Sequence, residues 1–222
     1  MSTPRREFLS WLGASGAFAA AGMPPVHSRE RDASPAPISD KWDVSWADRV
    51  NGKVRAVFDS PGLADGAAMF RAQLWRDEQS EVYGTPLAES SAVLVFRHEG
   101  ISLVMNDAYW ARFNIGHEMK VMDQDGKKIV KANPVASLPP GTPARWANYN
   151  VPAFIASGGV VLACNLAFGD VVARFRKADK STAEIARKTA IEHLIPGVIL
   201  QPSGVFAVLR AQQAGCNYLL AS

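Results

Sequence analysis

Gly159-Val160-Val161-Leu162-Ala163-Cys164-Asn165-Leu166-Ala167 decides the fold. Its four apolar residues from Val160 to Ala163 read as a strand buried on both faces, because a half-exposed strand would alternate apolar with polar positions. Asn165 then precedes a helical pattern from Leu166 to Ala178, where its side chain suits the first-turn cap. A buried strand running directly into a helix is half of a β-α-β unit.

The same grammar extends outward. Val54 to Phe58 is β-branched and aromatic, ends at Asp59-Ser60-Pro61-Gly62, and gives way to helical spacing between Ala64 and Glu78. Ala92 to Phe96 stops at Arg97-His98-Glu99, ahead of a helix around Asn106 to Phe113, with Asn106 or Asp107 as its cap. On the other side, Thr182 to Leu194 reads as a helix closed by Pro196-Gly197. Val198 to Leu200 is a strand leading to Gln201-Pro202-Ser203-Gly204, Ser203 caps a helix to Ala214, and Cys216 to Leu220 is a last short strand. Continuous apolar strands alternating with helices predict one doubly wound, mainly parallel sheet covered by helices on both faces, flavodoxin-like or related. Asp123-Gln124-Asp125-Gly126, between short apolar runs in Met119 to Lys131, predicts an inserted β-hairpin. The loop after it, marked by Pro134, Pro139, Pro140 and Pro143, is the expected place for a lid or an oligomer contact.

The N-terminus has another purpose. Pro4-Arg5-Arg6-Glu7-Phe8-Leu9 precedes a stretch of Ala, Gly, Leu and Phe from Trp11 to Met23 that is too short to span a bilayer, the pattern of a twin-arginine export signal. Residues 1–22 are therefore the expected signal, 23–41 a Pro-rich tether, and 42–222 the folded domain. The expected location is the periplasm or another exported compartment, with membrane contact only through an uncleaved signal. The 222 residues carry 24 Lys and Arg against 21 Asp and Glu, a formal charge of +3, so nothing electrostatic favours nucleic acid. Two cysteines exclude a disulfide framework and a four-thiolate metal site. The histidines lack ligand spacing, no Ser stands in a Gly-x-Ser-x-Gly elbow, and Gly158-Gly159 precedes its strand instead of following it. No metal and no cofactor is expected.

Ligands of open parallel sheets bind beyond the carboxyl ends of the strands, where helix N-termini also point. Four such ends carry polar or reactive residues: Asp59 with Ser60, Arg97 with His98 and Glu99, Cys164 with Asn165, and Gln201 with Ser203. Cys164, between strand and helix, reads either as a thiolate favoured by the helix dipole or as a small buried side chain. His98 or Arg97 would be its base or charge partner. Asp59, Ser60, Asn165, Gln201 and Ser203 are the candidate ligand contacts. Cys216 opens an apolar strand and reads as packing.

The stretch around Cys164, with Leu194-Ile195-Pro196-Gly197-Val198, Pro202-Ser203-Gly204-Val205 and Gln212-Gln213-Ala214-Gly215-Cys216-Asn217-Tyr218, resembles the DsrE-like superfamily of small sulfur-handling proteins. Trp42-Asp43-Val44-Ser45-Trp46, Phe58-Asp59-Ser60-Pro61, Arg97-His98 and Met105-Asn106-Asp107-Ala108-Tyr109-Trp110 extend the likeness to an exported subgroup. The resemblance implies a parallel sheet, assembly into trimers or hexamers, and sulfur carriage or transfer by a cysteine after a central strand, with a partner protein receiving the sulfur. Cys164 occupies that position. The hairpin and Pro-rich loop between Met119 and Pro143 are additions. A non-catalytic oligomer binding a small ligand or a protein at the strand ends is the competing expectation.

Replacing Arg5 and Arg6 together with Lys is expected to leave the precursor in the cytoplasm, since the export receptor reads the guanidinium pair and not charge alone. Cell fractionation checks this, and unchanged export of the variant would refute the signal.

Overall fold

The computed structural model describes residues 41–123, 125–138 and 141–222. The expected signal, most of the tether, Gln124, Pro139 and Pro140 lie outside the described residues. Five strands form one all-parallel sheet: β1 (Val54–Ser60), β2 (Ser90–Phe96), β3 (Val160–Cys164), β4 (Ile199–Gln201) and β5 (Asn217–Leu220), in the order β4-β3-β2-β1-β5. Between them run α1 (Ala67–Tyr83), α2 (Asp107–Phe113), α3 (Ile115–Glu118), α4 (Val151–Ala156), α5 (Asn165–Asp179), α6 (Ala183–Glu192) and α7 (Gly204–Gln213). The expected doubly wound α/β class is what the chain adopts.

Strand order dictates where the helices go. β1, β2, β3 and β4 step one place each in the same direction, so right-handed crossovers put their helices on one face. There Phe58, Leu94, Phe96 and Val161 pack with Met69, Trp110, Phe154, Phe168 and Phe175. The return from β4 to β5 runs the other way across the whole sheet and lays α7 on the opposite face. Val57, Val93, Val95, Val160 and Leu162 meet Ala207, Val208 and Ala211 of α7 there, together with Trp46 from a 3-10 turn at Ser45–Arg49.

The expected caps mostly form. Asn106 accepts from the amide of Tyr109 and Ser203 from that of Phe206, while Thr182, read as the first residue of its helix, caps as well by accepting from Ile185. Asn165 does not cap. Cys164 itself takes the N-cap position of α5 without a side-chain bond, and Asn165 Oδ1 accepts from Arg187 Nη2 at 2.7 Å. The hairpin shrinks to one antiparallel bridge between Met122 and Ile129, too little to count as paired strands. The Pro-rich loop is tied down at both described ends. Asn133 Nδ2 donates to the carbonyls of Leu103 and Met105, and Trp146 and Tyr149 stack on Phe70 of α1. Helix α4 and the turn at Ser45–Arg49 carry no strong periodic signal in sequence and go unanticipated.

Trp110 is wholly buried, and its indole N–H donates to the Ser102 carbonyl at 2.7 Å. Trp110→Ala leaves a large cavity and an unpaired carbonyl, so a loss of about 3–5 kcal/mol is expected, read from the denaturant midpoint. A loss below about 1 kcal/mol would mean that the site collapses around the deletion.

Candidate functional site

The carboxyl ends of the parallel strands bring together several of the expected residues. Asp59 and Ser60 close β1, Arg97 follows β2, Cys164 closes β3 and Gln201 closes β4. Asp59 and Arg97 form the firmest link. Arg97 Nε and Nη2 each donate at 2.8 Å to the two carboxylate oxygens of buried Asp59, a bidentate pair. Tyr218 of β5 adds a third bond, its hydroxyl donating to Asp59 Oδ2 at 3.0 Å. The hydrogen bond to Asp59 strengthens the positive charge on Arg97 against partial burial, and Cys164 lies within electrostatic reach to favour that charge further.

A glycine makes room for this arrangement. A Cβ on Gly204, the first residue of α7, would lie 2.6 Å from Arg97 Cδ and 2.7 Å from its Cβ, so only the bare backbone lets the helix start seat on the arginine stem. The α7 N-terminus thus roofs Arg97. Gln201, in register with Cys164 across β3 and β4, is fully buried. Its Nε2 donates to the carbonyls of Asp43 and Leu200, while Oε1 has no partner.

Other expected contacts serve the fold. Ser60 Oγ donates to the Gly62 carbonyl, Ser203 caps α7, and Asn165 is held by Arg187. His98 is exposed, in a left-handed backbone conformation with φ 47°, and makes no hydrogen bond to Cys164. The charged group near the thiol is therefore Arg97. Tyr218, Gly204, Asp43 and Arg187 are participants that sequence reasoning missed. Only a glycine directly after a cap residue was a usable signal, since Tyr218 sits in an apolar terminal run.

Both thiols are free. Cys164 follows the strand interior of β3 and Cys216 precedes β5, so in a parallel sheet they stand at opposite ends, beyond disulfide reach. Burial pushes the Cys216 thiol up to about 11, with Arg55 opposing only weakly. Among the described residues no group of three His, Cys, Asp or Glu is placed to hold a metal ion. Comparison of the chain with family models, with curated proteins and with solved structures finds no match.

The raised Cys216 thiol links stability to pH. Its folded value lies above the ordinary 9.0, so the folded state keeps a proton that the unfolded chain loses, and the contribution is complete below pH 9 and fades as pH rises through 11. Wild type is expected to lose up to about 2–3 kcal/mol more than Cys216→Ala over that interval, measured by denaturant unfolding at each pH.

Proposed function

We propose that the chain is an exported thiol protein of the DsrE-like kind, in which Cys164 takes up sulfur as a persulfide and hands it to a partner protein. The observation that carries the reading is that Cys164, at the end of interior β3, lies within electrostatic reach of Arg97, at the end of adjoining β2, whose charge Asp59 holds in place. The reaction balances without a cofactor. The Cys164 thiolate attacks the outer sulfur of a donor persulfide, a new S–S bond forms at Cys164, the donor S–S bond breaks, and the donor leaves as its thiolate. Arg97 stabilises the anionic sulfur before and after transfer, and the first amides of α5 face the same charge.

A second reading has its own observation. Cys164 is only 6% exposed and belongs to the apolar core cluster, as a purely packed side chain would. On that reading the strand-end crevice binds a ligand or a protein without covalent chemistry.

Alkylation separates the two. With Cys216 held protonated by burial, Cys164 in the native chain is expected to react at least about tenfold faster at pH 7. Incubation with a low-molecular-weight persulfide is expected to add the mass of one sulfur per chain, and Cys164→Ser abolishes both the fast labelling and the adduct while circular dichroism stays native. Equal slow labelling without an adduct puts the binding reading in front.

A further inference from the structure

Helix α5 begins next to Cys164 and runs back along the sheet, and its 15 residues carry the chain about 22 Å from the carboxyl ends of the strands. Basic side chains gather at that far end. Ala173, Arg176, Lys177 and Lys180 follow one another at i, i+3, i+4 and i+7, so they share one face, and all four are exposed. With Ser181 they line an open groove of about 480 Å³, a volume in the range of small-molecule sites.

The chain itself leaves this charge unanswered. Among the described residues, Arg176, Lys177 and Lys180 have no ion pair and no side-chain hydrogen bond, and no acidic residue lines the groove. Other basic residues of the same region are paired, Arg112 with Asp179 and Arg174 with Glu118, which commits both of those carboxylates. The carbonyl end of a helix attracts cations, yet it offers only about half a negative charge against the three positive ones here. Arg176 and Lys180 are like charges one turn apart, a spacing that works against the helix end. Lys180 also holds the left-handed C-cap of α5, with φ 49°, where glycine is the usual residue. Ser181 Oγ, on the lining of the same groove, is buried without a hydrogen-bond partner among the described residues. Repulsion, backbone cost and an unpaired hydroxyl coincide at one place, and a bound anion relieves the first and the last.

We infer that this groove binds a phosphate group, carried by a free ligand or by a lipid headgroup. Three cations and a hydroxyl call for several acceptor oxygens about one centre, which a tetrahedral phosphate supplies and a two-oxygen carboxylate does not. Arg176 presents a planar fork to two of those oxygens, and the lysines add two point charges. The whole chain carries a formal charge of only +3, so the attraction is local and is screened beyond about 8 Å at physiological salt, which suits a compact anion and not a long nucleic acid. The inference does not depend on chemistry at Cys164, which stands at the other end of the sheet.

Titration calorimetry of the full chain with inorganic pyrophosphate at low salt is expected to show one site per chain, weakening as sodium chloride is raised. Lys180→Gly removes a charge at a position whose backbone suits glycine. Pyrophosphate affinity is expected to fall about fivefold in that variant while Tm holds or rises. Lys177→Gln, a good helix former in a helical position, is expected to weaken binding by a similar factor, whereas Lys53→Gln, whose ammonium pairs with Glu89, leaves it unchanged. Cosedimentation with phosphatidylglycerol vesicles, against phosphatidylcholine vesicles as the control, separates the two sources of phosphate. Pelleting that Lys180→Gly weakens assigns a lipid headgroup, and pyrophosphate binding without pelleting assigns a free ligand. Absence of binding to either overturns the inference, as does binding that Lys180→Gly and Lys177→Gln both leave unchanged.

Discussion

Handedness of the crossovers governs almost everything else in this molecule. Each link between parallel strands has to turn to the right, so a chain that steps β1, β2, β3, β4 in one direction and then jumps back beside β1 has no freedom in placing its helices. Three connections load one face. The single return connection must serve the other, and a ten-residue helix spans only about 15 Å, too little to roof five strands. The buried turn around Trp46 makes up part of the shortfall and β5 bears the rest.

The same topology explains why the polar strand ends are so economical. Asp59 and Arg97 stand on adjacent strands, pair through both carboxylate oxygens, and receive a third bond from β5, so a buried charge is met by its counter-charge instead of by water. Ser60, Ser203 and Asn165 likewise spend their side chains on neighbouring groups. Gln201 Oε1 has no partner among the described residues, and it lies one strand from the Cys164 thiol, in register. On the proposed function, recognition at this end of the sheet would rest on few groups, which favours a small or chemically simple ligand over an elaborate one.

Much of this was legible in the amino-acid order. The strand cores at Val54–Phe58, Ala92–Phe96 and Val160–Ala163, and the caps at Asn106 and Ser203, follow from local patterns that tertiary structure reinforces. Asn165 escaped because capping competes with a long-range bond to Arg187, 22 residues on, which no local rule weighs. His98 looked like a partner of Cys164 because both end strands, yet the chain turns left-handed at that residue and presents it to solvent. Tyr218 was hidden for the opposite reason, since an aromatic in an apolar strand gives no sign that its hydroxyl reaches a carboxylate 159 residues earlier.

That span has a consequence for the order of events in the cell. β1 leaves the ribosome well before β5, and the two are hydrogen-bonded neighbours. Until β5 has been made, one edge of β1 stays unpaired, and the carboxylate of Asp59 lacks its tyrosine. Pairings this distant in sequence form slowly and leave strand edges open to wrong partners meanwhile. Under the export route proposed here, which carries cargo already folded, translocation therefore has to wait until β5 has paired, and shielding of β1 during that delay becomes a task for chaperones.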